Sequence, residues 1–94
     1  MNEFDPRLTL KRNPEVISSK IDDEVIMMSI EDGKYFGLDP IGSVLWELLE
    51  EPQSLDEMIP QLLKEFDVSK EECLNDCTIF IKDMLQKKTL LIQN

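Results

Sequence analysis

The sequence contains no histidine, two cysteines, three glycines, and ten basic residues against 20 acidic ones. Each shortage excludes something. Without histidine the commonest general base and zinc ligand are missing, and Cys73 and Cys77 alone cannot complete a tetrahedral metal site. Those two cysteines stand four apart in an expected helix, where a disulfide between them would be strained. They read instead as small buried apolar groups of a reducing compartment. The few glycines form no phosphate-cradling run. The shortage of basic residues leaves a formal net charge of −10, which sets nucleic acid and anionic membrane aside as partners. No stretch approaches the roughly 18 apolar residues of a membrane span. The start, MNEFDPRLTL, lacks the cationic and apolar regions of a signal peptide. The expectation is a cytoplasmic protein with no metal and no cofactor.

What is present suits one globular domain over residues 1–94, 41% hydrophobic and 32% charged, with residues 1–14 as a partly flexible arm or an extra strand. RLTLK alternates weakly until Asn13-Pro14 breaks it. EVISSKI places Ile17, Ser19 and Ile21 on one face of a strand, and IDDE turns the chain. VIMMSI, Val25 to Ile30, is a nearly continuous apolar run that suits a central strand covered on both faces. Asp32-Gly33 is a hairpin signal, and KYFGL returns as a third strand.

Helices follow. Asp39-Pro40 opens the first, with an acceptor at the cap and proline where no donor is needed. Ile41, Val44, Leu45, Leu48 and Leu49 form its apolar stripe, with Trp46 on the margin. SLDE at Ser54 and SKEE at Ser69 are capping boxes for a second and a third helix. Pro60 inside the second removes one hydrogen bond and predicts a kink or a short first turn. The third helix is expected over about Lys70 to Lys88, and TLLIQ can add a short C-terminal strand. The fold class is therefore α+β and winged helix-turn-helix-like: a three-stranded antiparallel sheet, then three helices.

Two features can carry function. On the third helix, Leu74, Cys77, Ile81 and Leu85 lie together with Cys73, Phe80 and Met84 beside them, while Ile79 falls outside the arc. Asp76, Phe80 and Asp83 border that arc, so an aromatic group and two carboxylates share one wall. The other wall is KYFGL, Lys34 to Leu38, whose far side is expected to be a free sheet edge, a surface on which peptides add as strands. Gly37 there either lets another backbone approach or marks a bulge before the helix. Acid pairs such as Asp22-Asp23 and Glu50-Glu51 read as solvated charges. No nucleophile stands beside a base, so no enzyme is expected.

The runs IDDEVIMMSIEDGKYFGLDPIGSVLWELLEE, SLDEMIPQLLKEFDVSKEE and NDCTIFIKDMLQKKTLLI resemble the PqqD-like proteins, peptide-recognition elements of ribosomally made, modified peptide pathways. The resemblance covers about residues 16–92. It is most specific at the glycine, the aromatic pair, the L-D/N-P and the tryptophan helix, and again at Asp76, Phe80, Ile81 and Leu85. Asp39 stands where the family usually has asparagine, Glu51-Pro52 where glycine commonly closes the helix, and Thr89 where glycine often precedes the last leucines. The resemblance implies an adaptor that binds a precursor's leader segment as an added strand, with Lys34, Tyr35, Phe36, Gly37, Leu38, Asp76, Cys77, Phe80, Asp83 and Met84 around it. It also implies a separate modifying enzyme as partner. A leader protease is favoured, as for the similar B1 proteins of lasso-peptide clusters, over the radical-SAM enzyme served by PqqD proper. The rival readings are a winged-helix nucleic-acid binder and a dimerisation module. Against the first, residues 70–88 carry four lysines and four acids.

Overall fold

In the computed structural model, which describes residues 4–29 and 33–93, two small antiparallel sheets flank three helices. The chain order is β1 (Thr9–Arg12), β2 (Val16–Ile21), β3 (Glu24–Ser29), β4 (Lys34–Gly37), α1 (Pro40–Leu48), β5 (Gln53–Ser54), α2 (Leu55–Glu65), α3 (Lys70–Gln86) and β6 (Leu90–Ile92). The expected sheet is β2-β3-β4. The N-terminal segment is the middle strand of a second sheet, β5-β1-β6, with Leu10 fully buried.

Local chemistry shapes the turns and helix starts. Asp22 and Asp23, at φ +49° and +71°, make the β2–β3 turn; aspartate is among the few side chains that tolerate this left-handed region. Gly33 takes φ +67° before β4, while Ile30 and Asp32 lie outside the described residues. Asp39 Oδ1 accepts from the Gly42 N–H at 2.7 Å and caps α1. Ser54 and Glu57 close a full capping box on α2. At Ser69 the hydroxyl accepts from the Glu72 N–H but donates to the Glu72 carboxylate, so the second box is only half made. The helix α2 runs unbroken through Pro60, not shortened at its first turn. Helix α3 ends at Gln86, two residues before the expected Lys88.

The core joins Val25, Met27, Leu38, Leu45, Trp46, Leu49, Met58, Leu62, Cys73, Cys77, Ile81 and Met84. Two expectations are corrected here. Trp46 is 2% exposed, at the centre of the α1 face rather than its margin, because β1 covers that side through Arg12. Among the described residues, strand β3 is covered on one face only: Val25 and Met27 are buried, whereas Ile26 and Met28 face outward beside Ile17, Ile21 and Tyr35. A continuous apolar run does not reveal whether its second face has a cover within the same chain.

Candidate peptide-binding groove

Strand β4 pairs with β3 on one side, and no described strand pairs with its other side. Its register, Met27 opposite Phe36 and Met28 opposite Tyr35, fixes which backbone groups are free. The Leu38 N–H donates to the Val25 carbonyl at 2.9 Å. In an antiparallel pair, hydrogen-bonded and non-hydrogen-bonded positions alternate. Leu38, Phe36 and Lys34 therefore direct their backbone groups to β3, while Tyr35 and Gly37 turn their N–H and C=O groups to the open edge.

The same alternation sorts the side chains. Phe36 shares the inner face with buried Met27; Tyr35, 72% exposed, lies on the outer face. Gly37 sits in regular register opposite Ile26, without a bulge, and a Cβ there would meet only Ile26 Cδ1 at 3.6 Å.

Two adjoining cavities lie along α3, one against the start of α1 and one against this edge. The larger, about 580 Å³, is lined by Asp39, Ile41, Gly42, Asp76, Ile79, Phe80 and Asp83. Its floor is apolar and its rim carries three carboxylates. The second, about 370 Å³, runs along β4 between Phe36, Gly37 and Leu38 on one side and Phe80, Asp83, Met84 and Lys87 on the other. Phe80 and the aspartates 39 and 83 line both, so the two are sections of one groove. The Phe80 ring lies tight against α1: a Cβ on Gly42 would stand 2.8 Å from its Cε1. Glycine at position 42 is what lets α1 and the Phe80 ring approach so closely.

Seven of the ten residues proposed from sequence line these cavities: Phe36, Gly37, Leu38, Asp76, Phe80, Asp83 and Met84. The side chains of Lys34 and Tyr35 do not, although their backbone belongs to the edge strand. Cys77 is fully buried in the core beneath α3. Burial pushes its thiol up to about 12, with Cys73, Asp76 and Asp39 adding to the effect. A thiol so protonated is no nucleophile at neutral pH. Sequence reasoning missed Asp39, Ile41, Gly42, Ile79 and Lys87. Ile79 did leave a signal, being a large apolar residue off the buried arc of α3, and it is 62% exposed at the cavity.

The comparisons with known proteins bear on this geometry. The family model described as coenzyme PQQ synthesis protein D (PqqD) matches residues 24–90. The chain belongs to the PqqD family. A solved structure, that of TbiB1 in complex with the TbiA(β) leader peptide, is similar to it over 85% of this chain and 93% of that one, at 35% identity and a TM-score of 0.78. None of the curated proteins searched matches. The match to the PqqD model takes in β3, β4 and all three helices. Strand β1, which completes the core on the Trp46 side, precedes the matched residues.

Proposed function

We propose that this PqqD-family chain is a non-catalytic adaptor that binds the leader segment of a ribosomally synthesised precursor peptide and presents it to a separate modifying enzyme. The observation that carries this reading is the open β4 edge, with the Tyr35 and Gly37 backbone groups outward, directly beside the cavities of α3. The similarity to TbiB1, solved with a leader peptide, supports it. An extended peptide gains backbone hydrogen bonds along the edge with little sequence demand, while alternate side chains enter the groove and supply selectivity. Apolar side chains fit against Phe36, Phe80 and Met84. The rim aspartates attract a cationic residue, acting more on association rate than on final affinity. A leader protease is the favoured partner enzyme, and a radical-SAM enzyme the alternative.

Backbone NMR with a synthetic leader peptide tests this. Shifts are expected at residues 34–42 and 76–84. Shifts confined to α2 or to the β5-β1-β6 sheet would remove the groove from consideration. Tight DNA binding at physiological salt in a gel-shift assay would favour the nucleic-acid reading instead.

A further inference from the structure

Lys87 stands at the C-terminal cap of α3, and its ammonium makes two contacts on opposite walls of the groove. On its own helix it pairs with Asp83 at 3.0 Å. Helix chemistry explains that contact: an acid one turn before a lysine, near a helix C-terminus, is a favourable arrangement. The second contact has no such local cause. The same ammonium lies 4.8 Å from the centroid of the Phe36 ring, on β4. Phe36 and Lys87 both line the cavity along the edge strand. One side chain therefore crosses from α3 to β4 over the space that a peptide's inward-facing residues would fill.

From this we infer that Lys87 is a latch on the groove, closed over Phe36 in the free protein and displaced when peptide enters. The inference rests on the leader-binding reading and adds to it a residue that sets the affinity. Peptide side chains gain the Phe36 face only when the ammonium leaves it. Asp83 keeps the displaced lysine nearby, so the latch recloses on release. A cation over a ring at an exposed site is a weak contact, and losing it on binding lowers affinity by about 2–5-fold.

The test uses the full chain with one synthetic probe, the TbiA(β) leader. Lys87→Met keeps the aliphatic stem and removes the charge, so it should bind about 2–5-fold tighter, mainly through faster association. Lys87→Arg, whose guanidinium also meets an aromatic face, should bind as the parent does. Lys82→Met removes the same charge from an exposed position of the same helix that lines neither cavity, and should leave affinity unchanged. Free protein should show ring-current shifts on the Lys87 ε-methylene protons that vanish at peptide saturation. Equal or weaker binding by Lys87→Met, an equal gain from Lys82→Met, or retained ring-current shifts in the complex would each overturn the latch while leaving the groove in place. If this probe shifts no groove resonance, the leader reading fails and the latch with it.

Discussion

The guanidinium of Arg12 lies 4.7 Å from the centroid of the Trp46 ring, and its Nε and Nη2 donate to the Trp46 carbonyl at 3.0 and 2.6 Å. One β1 side chain thus covers the indole and satisfies a carbonyl in the last turn of α1. The indole Nε1–H donates to Ser18 Oγ at 3.1 Å on β2, so Trp46 ties both sheets to one helix. Burial draws the Arg12 pKa below its usual value, while Glu50 and Glu47 pull it back; the group remains charged at any practical pH. Arg12→Ala should cost about 1.5–3 kcal/mol, the range for hydrogen bonds to a charged group. Trp46→Ala should cost about 3–5 kcal/mol and unfold much of the population. Chemical denaturation of both variants checks this, and near-parental stability in Trp46→Ala would contradict the packing.

Lys88 sits at φ +63°, just past α3. The Thr89 N–H donates to the Met84 carbonyl at 3.0 Å and the Lys88 N–H to Leu85 at 3.1 Å, which closes the helix in a Schellman-like turn. That left-handed position favours glycine. Glycine relieves the Cβ strain but loses more unfolded-state entropy. The net expectation for Lys88→Gly is a gain of up to about 1 kcal/mol, seen as a raised melting temperature, with the C-terminal strand β6 still formed.

Cys77 supplies a pH dependence. Its thiol is pushed up to about 12 by burial, above the ordinary value of about 8.5 that an unfolded chain shows. The folded state therefore holds a proton that the unfolded state loses. Stability falls as pH rises through that window, by at most about 1.4 kcal/mol per unit from this group. Below the unfolded value the group contributes no slope. Cys77→Ala should lose this part of the alkaline slope between pH 9 and 10, apart from the change shared by the lysines. Thiol reagents should label the native protein slowly at neutral pH.

Much of the local structure was legible. Asp39, Ser54 and Ser69 cap helices through contacts three residues long, and such contacts lie within the reach of a sequence pattern. The edge strand and the Phe80–Asp83 wall were legible too, since each follows from a single period. Pairings across the chain were not. Leu10 meets Ile92 on one side and Gln53 on the other, and nothing within RLTLK announces either. The Trp46 face was misread for the same reason, because its cover comes from Arg12, 34 residues earlier. Tyr35 shows what the two-residue strand period supplies: it puts the side chain on the face opposite Phe36 and leaves the backbone groups to the open edge. Lys87 could not be placed, since a lysine one turn after an aspartate is ordinary on any helix.

The last prediction concerns Gly42 and Phe80, and separates the fold from the groove. Alanine in a helix interior is favoured over glycine by about 1 kcal/mol. At position 42, however, its Cβ would stand 2.8 Å from Phe80 Cε1 and 3.0 Å from Asp39 Oδ1. The Phe80 ring is half-buried and lines both cavities, so it has open space into which to shift at small cost. The two effects offset, and Gly42→Ala should melt within about 1 kcal/mol of the parent. The displaced ring then narrows both cavities, and leader affinity should fall by roughly tenfold, about 1.4 kcal/mol. Phe80→Ala should weaken binding more than Asp83→Asn, because apolar contact carries affinity while a rim charge mainly steers. Raising the salt concentration should accordingly weaken binding only mildly. Melting curves and calorimetric titration with a leader peptide measure all of these. If Gly42→Ala binds as tightly as the parent with its Phe80 resonances shifted, the ring is not part of the binding surface. If Asp83→Asn proves the more damaging variant, the groove acts through charge rather than shape.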